Sequence, residues 1–303
     1  MSIVVTDKEC NYPLNGDCLL HKYDNVISYK YSICKSELTI DTENTNINTK
    51  VQSIDEIDIY FIFDCPGEDA LYHWVGESFI FYPLLLQLQT IYPNIKIFTK
   101  NTKKYVKNLF KFFNLSNEVV NTFQNANNMC FFPPILSLND MDHNIELFKT
   151  YLRFYITDIN SRLSSVTIPN NQIVLLPRNN KDNYAPNDRN IPGIEDIEEN
   201  IISIGGIVLN TYQLNNIELQ WSIIKNSKII ILDAGSSYMF NCQWLSNKTI
   251  ILLDNHGHYG SINSFIALNI ADNIIRETNT VHIIHPNNDN RIITFNDIKQ
   301  YIV

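Results

Sequence analysis

The chain has 303 residues, of which 45% are hydrophobic and 18% charged, with a formal net charge of −9. That is enough apolar material for one or two full-sized cores, and the acidic balance argues against general binding to nucleic acid or to anionic membranes. No apolar stretch approaches the ~20 residues needed to span a bilayer, no leader with a charged start and an apolar middle opens the sequence, and the six cysteines lack any Cys-x-x-Cys pair. They read as reduced core thiols rather than a zinc site or a disulfide framework. The expected location is the cytoplasm.

The first forty residues are β-rich, with alternation over Asn25–Cys34 and again over Glu37–Ile40. A polar loop, Asp41–Lys50, separates them from a strong strand, Ile57–Phe63. The chain then runs through Asp64-Cys-Pro-Gly-Glu-Asp69 into a long apolar helix expected over 70–91 and kinked at Pro83. Strand Ile95–Phe98, helices over 102–113 and 118–126, strand Met129–Phe132 and an amphipathic helix over 144–163 follow. Lys100-Asn-Thr-Lys-Lys-Tyr-Val-Lys107 is the densest basic run and reads as a solvated helix face.

The second half repeats the rhythm. Strands are expected at 173–176, 207–209, 229–232, 249–253 and 281–284, with helices near 194–203, 215–226, 238–245, 262–275 and 295–302. Gly205-Gly206 sits where a helix must end and turn into a strand. Short apolar strands alternating with helices specify an α/β fold with parallel sheets. Two such halves, 1–165 with the β-rich start and 166–303, split near 164–169 and flank a cleft.

In an open α/β sheet, ligands bind at the loops that follow the strands. Arg178 ends one strand and Arg189 precedes the helix that starts near Ile194. Arginines there can clamp a diphosphate with forked hydrogen bonds, helped by backbone N–H groups at the helix start. Two ordinary surface arginines are the plainer alternative. Asp233-Ala-Gly-Ser-Ser-Tyr238 is a small-residue turn in which Gly235 lets the backbone approach a ligand, and Ser236 or Ser237 can bond phosphate or cap the helix. His73 and Glu77 lie four apart on one helix face, and either can act as a general base or serve structurally. Asp140-Met-Asp142 precedes a helix and reads as its cap. Asn255-His-Gly-His258 lacks further spaced metal ligands and reads as cleft lining; His282 and His285 carry no separate signal. No metal is expected. The pattern suits a nucleotide-sugar site and glycosyl transfer.

Three stretches carry a resemblance. Tyr72-His-Trp-Val-Gly-Glu77 is one, and Arg178 with Arg189-Asn-Ile191 and the acidic helix Glu195–Glu199 is the second. The third runs from Leu214 through Gln220 and Asn226–Ile231 to Gly235-Ser-Ser-Tyr-Met-Phe-Asn241. In order and spacing they resemble glycosyltransferase family 61 over about residues 55–260, in the manner of a cytoplasmic microbial or viral member. Ala234 stands where many members have His, a role open to His256 or His258. The resemblance implies a GT-B fold, two Rossmann-like domains facing across a cleft. It implies an inverting transfer without metal or other cofactor, from a nucleotide-linked sugar (UDP foremost) to a glycan or protein hydroxyl. It makes His73 or Glu77 the base, and it puts Arg178, Arg189, Gly235, Ser236, Ser237, Asn241 and His256 on the donor side. A non-catalytic glycan- or nucleotide-binding scaffold and, more distantly, a nucleotide-sugar epimerase are the competing readings; the sugar and the oligomeric state stay open.

Overall fold

The computed structural model describes residues 26–29, 58–63, 74–76, 78–122, 128–131, 141–163, 171–177, 191–210, 216–255, 257, 259–260, 266–286 and 292–302. By their contacts the residues fall into two units, 1–106 with 114–151 and 107–113 with 152–303. The division expected near 164–169 lies outside the described residues, as do Asp140 and most of the β-rich start.

The first unit is built on a sheet of β1 (Val26–Tyr29), β2 (Asp58–Ile62), β3 (Lys96–Phe98), β4 (Val119–Val120) and β5 (Asn128–Phe131). Its order is β1-β5-β2-β3-β4 and every pairing is parallel. The run from Tyr60 to Phe63 is buried at every position, as a strand covered on both faces requires. Helix α1 (Tyr82–Gln89) belongs to this unit, whereas α2 (Lys104–Phe112) and α3 (Met141–Arg162) are each shared, with residues 107–112 and 152–162 counted in the second unit.

Two expectations change here. The long helix over 70–91 is broken: residues 74–76 are helical, Phe79–Phe81 form a 3-10 turn, and α1 starts only at Tyr82. Pro83 falls in the first turn of α1. A helix needs no N–H there, and the fixed proline φ suits the position, so Pro83 starts a helix instead of kinking one. The helix expected over 118–126 is also absent at its start, where Val119–Val120 form β4. The Ile97 N–H donates to Glu118 O at 2.7 Å and the Thr99 N–H to Val120 O at 3.1 Å. Two β-branched residues beside an unfilled sheet edge join that edge.

The second unit holds β6 (Asn171–Leu176), β7 (Ile207–Val208), β8 (Ser227–Asp233), β9 (Thr249–Leu253) and β10 (Thr280–Ile284). Their order is β10-β9-β8-β6-β7, again wholly parallel. The helices are α4 (Ile194–Ser203), α5 (Ile217–Asn226), α6 (Ser236–Cys242), α7 (Ile266–Thr278) and α8 (Phe295–Ile298). Ile173, Leu175, Ile231, Ile251 and Leu253 share one sheet face, packed against Ile194, Ile197 and Ile201 of α4 and Ile298 of α8. The alternate residues Val174, Leu176, Ile230 and Leu232 are equally buried, and α5 packs on β6 and β8. Helix α4 ends in a paired hydrogen-bond motif: the Gly206 N–H donates to Ile201 O at 2.8 Å and the Gly205 N–H to Ile202 O at 3.0 Å. Gly205 takes the left-handed φ of 81° that this stop requires. No described helix is long and apolar enough to cross a membrane.

Candidate functional site

In each unit the chain leaves its first central strand in one direction and later returns to pair on that strand's other side. In the second sheet β6 is followed by β7 on one flank, while β8, β9 and β10 extend from the other. In the first sheet β3 and β4 extend from one side of β2, and β5 pairs on its other side. In open α/β sheets the carboxyl ends at such a reversal of strand order, here between β6 and β8 and between β2 and β5, are where ligands bind. The segments that follow Phe63, β5 and Pro177 lie outside the described residues.

Strand register defines what stands at the carboxyl edge of the second sheet. Leu176 pairs with Leu232, Asp233 with Leu253, and Leu253 with Ile284. The segments that follow are therefore neighbours: Pro177, Ala234–Ser237, Asp254–Asn255 and His285. Gly235 has φ 145° and ψ −148°, a conformation that only glycine adopts readily. An added Cβ would meet nothing closer than Asp233 Oδ2 at 4.0 Å. The glycine is thus required by backbone geometry and not by crowding. Gly235→Ala is expected to lower stability by about 1–3 kcal/mol through backbone strain, read as a fall in the urea midpoint at unchanged slope; an unchanged midpoint would refute the strain.

Ser236 and Ser237 open α6 and are half-buried. Asn241 is 2% exposed, and its side chain is engaged inside the protein. Its Nδ2 donates to Ser237 O at 2.9 Å and to Ser237 Oγ at 3.2 Å, while its Oδ1 accepts from Gln220 Nε2 at 2.8 Å. Asn241 therefore acts on the turn through Ser237 and ties it to α5. Arg178, Arg189 and His256 lie outside the described residues, as do His73 and Glu77. Between the latter two, Trp74 is fully buried and its Nε1 donates to Phe63 O at 2.8 Å, anchoring the segment to the end of β2.

Two constellations emerge that sequence reasoning did not single out. Asp272 on α7 is 5% exposed and accepts from Tyr238 Oη at 2.7 Å through Oδ1. Its Oδ2 accepts from Tyr259 Oη and from Arg276 Nε, the latter at 3.0 Å. Burial, reinforced by the Asp272 carboxylate, raises the Tyr238 phenol and pushes Tyr259 up to about 12. The four-residue spacing of Asp272 and Arg276 on one helix was the available signal. The second constellation is Asp254, whose N–H donates to Ile284 O at 2.9 Å and whose Oδ1 accepts from the Tyr259 N–H at 3.3 Å. Among the described residues its Oδ2 is buried without a hydrogen-bond partner, 3.5 Å from His285 Nδ1.

No known family model and no curated protein matches the chain. The chemistry of the edge rests on its own residues: a glycine-governed turn, a serine pair, a buried carboxylate and an imidazole on one rim.

Proposed function

We propose that the protein is an inverting glycosyltransferase of GT-B type. It takes a sugar from a nucleotide-linked donor, UDP-sugars first, and passes it to a hydroxyl of a glycan or protein without a metal. One observation carries this reading: the second sheet reverses its strand order between β6 and β8, so that the Gly235 turn and Pro177 stand at the strand ends where such sheets bind nucleotides. Arg178 follows Pro177 directly. With Arg189 and the Gly235–Ser237 turn it supplies donors to the leaving diphosphate, whose charge grows in the transition state.

Thermal unfolding with a panel of nucleotides and nucleotide sugars, in EDTA, tests the donor site. A sugar nucleotide at about 100 times its dissociation constant stabilises by about 2.7 kcal/mol. A panel in which none raises the melting temperature removes the donor site. The second reading, a non-catalytic scaffold that binds a glycan or nucleotide, draws on Ala234 and on the internal engagement of Asn241. It predicts a shift without turnover.

A further inference from the structure

The buried Asp254 carboxylate needs a donor for Oδ2. It is 2% exposed, and among the described residues the group facing that oxygen is the His285 imidazole, through Nδ1 at 3.5 Å. The two elements bearing them are locked together by the Asp254 N–H bond to Ile284 O and by the β9–β10 register. Asp254 is further held by the Tyr259 N–H on Oδ1, and Tyr259 is itself fixed by Asp272 and Arg276. The carboxylate is therefore rigid and buried, whereas the His285 side chain is 62% exposed. A fixed carboxylate at Nδ1 selects the tautomer with its proton on Nδ1 and leaves Nε2 bare toward solvent. Such contacts are often loose before a substrate is in place.

We propose that His285, oriented by Asp254, is the general base of the transfer. The assignment rests on the glycosyltransferase reading above and names the base that it requires. Strands in a sheet lie about 4.8 Å apart, so the end of β10, two strands from β8, stands about 10 Å from the Gly235 turn, within reach of a sugar linked to a diphosphate seated there. Nε2 accepts the proton of the acceptor hydroxyl as its oxygen bonds to the anomeric carbon. The bond from that carbon to the diphosphate oxygen breaks, its electron pair leaving with the nucleoside diphosphate. The imidazolium then returns the proton to water. His285 is the catalytic residue and Asp254 its positioning residue.

His285→Gln, at an exposed position, is expected to lower kcat at least about 10²-fold and to leave the melting temperature and its rise with donor unchanged. Asp254→Asn presents an amide donor to Nδ1 and is expected to move the proton to Nε2, with a comparable loss. Nitrogen NMR of the histidines reads that tautomer directly: protonated Nδ1 and bare Nε2 in the natural protein, reversed in the variant. Unchanged turnover in His285→Gln, with the loss found instead in His73→Ala or Glu77→Gln, overturns the assignment in favour of the first unit. A protonated Nε2 in the natural protein overturns it as well. If no sugar nucleotide shifts the melting temperature of the natural protein, the transferase reading fails and takes the base role with it. The tautomer then tells whether the Asp254–His285 pairing survives that failure.

Discussion

On the proposed donor site, Arg178→Ala is expected to slow sugar transfer by about 10²–10³-fold, a loss of about 2.7–4 kcal/mol of transition-state stabilisation of the kind seen when one preorganised donor is removed. The position in the chain drives the expectation. β6 is the strand at which the strand order of the second sheet reverses, it pairs on both sides, and Pro177 at its end is buried. Arg178 follows Pro177 directly in the sequence, and a donor held close to a rigid strand end acts with little reorganisation. Arg178→Lys keeps the charge but loses the planar fork that grips two phosphate oxygens at once, and should recover only part of the rate. Single-turnover kinetics at saturating donor separate this from weaker binding. A variant as fast as the natural protein would remove Arg178 from the chemistry.

Asp272→Ala is expected to lower stability by about 3 kcal/mol, the lower end of the range for breaking a buried ion pair. The lower end applies because the Arg276 side chain is 37% exposed and can turn to water. The larger share comes from the Tyr238 hydroxyl, which lies in a fully buried side chain and loses its acceptor. The order of effects is therefore diagnostic: Tyr238→Phe alone costs about 1 kcal/mol, and Asp272→Leu in the Tyr238→Phe background costs less than Asp272→Leu in the natural protein. Additive costs in urea unfolding would show that the pair does not interact. The same network sets the alkaline limit. Unfolded tyrosines release their protons near pH 10, whereas folded Tyr259 keeps its proton to about 12 and Tyr238 is raised too. Above about pH 10 the unfolded state thus holds fewer protons than the folded one, and stability falls from there through pH 12. Removing Asp272 should make that fall shallower.

The sheets were the most legible part of the chain. Runs such as Ile229–Leu232 and Thr249–Leu253 are too short for helices and too apolar for loops, and both lie in strands. Helices failed to be legible where one residue type serves two purposes. Pro83 ends many helices, yet in this chain it occupies the first turn of α1, and nothing within its own segment distinguishes the two roles. Val119–Val120 joined β3 because an edge was open beside it, a fact about the sheet and not about the segment. At the candidate site, the Gly235 turn could be read from its small residues and the strand before it. The Asp254–His285 pair could not, because only the register between β9 and β10 brings the two side chains together. Asn241 shows the converse: its place in a recognisable loop suggested contact with a ligand, while Gln220, far away in sequence, occupies its amide oxygen.

The position of β6 also bears on how the second unit comes into being. This strand is the first of the second sheet in the chain, yet its longest pairing is with β8, where Asn171 meets Ser227. Its other neighbour, β7, offers only Ile207 and Val208. A nascent chain that has emerged only as far as Asn226 therefore carries an apolar strand, Gln172–Leu176, with one long flank of unmet N–H and C=O groups. Such a flank is a template for any other extended chain. The vulnerable interval in synthesis is the time between the emergence of β6 and that of β8, and fragments ending inside it should self-associate where the whole unit does not.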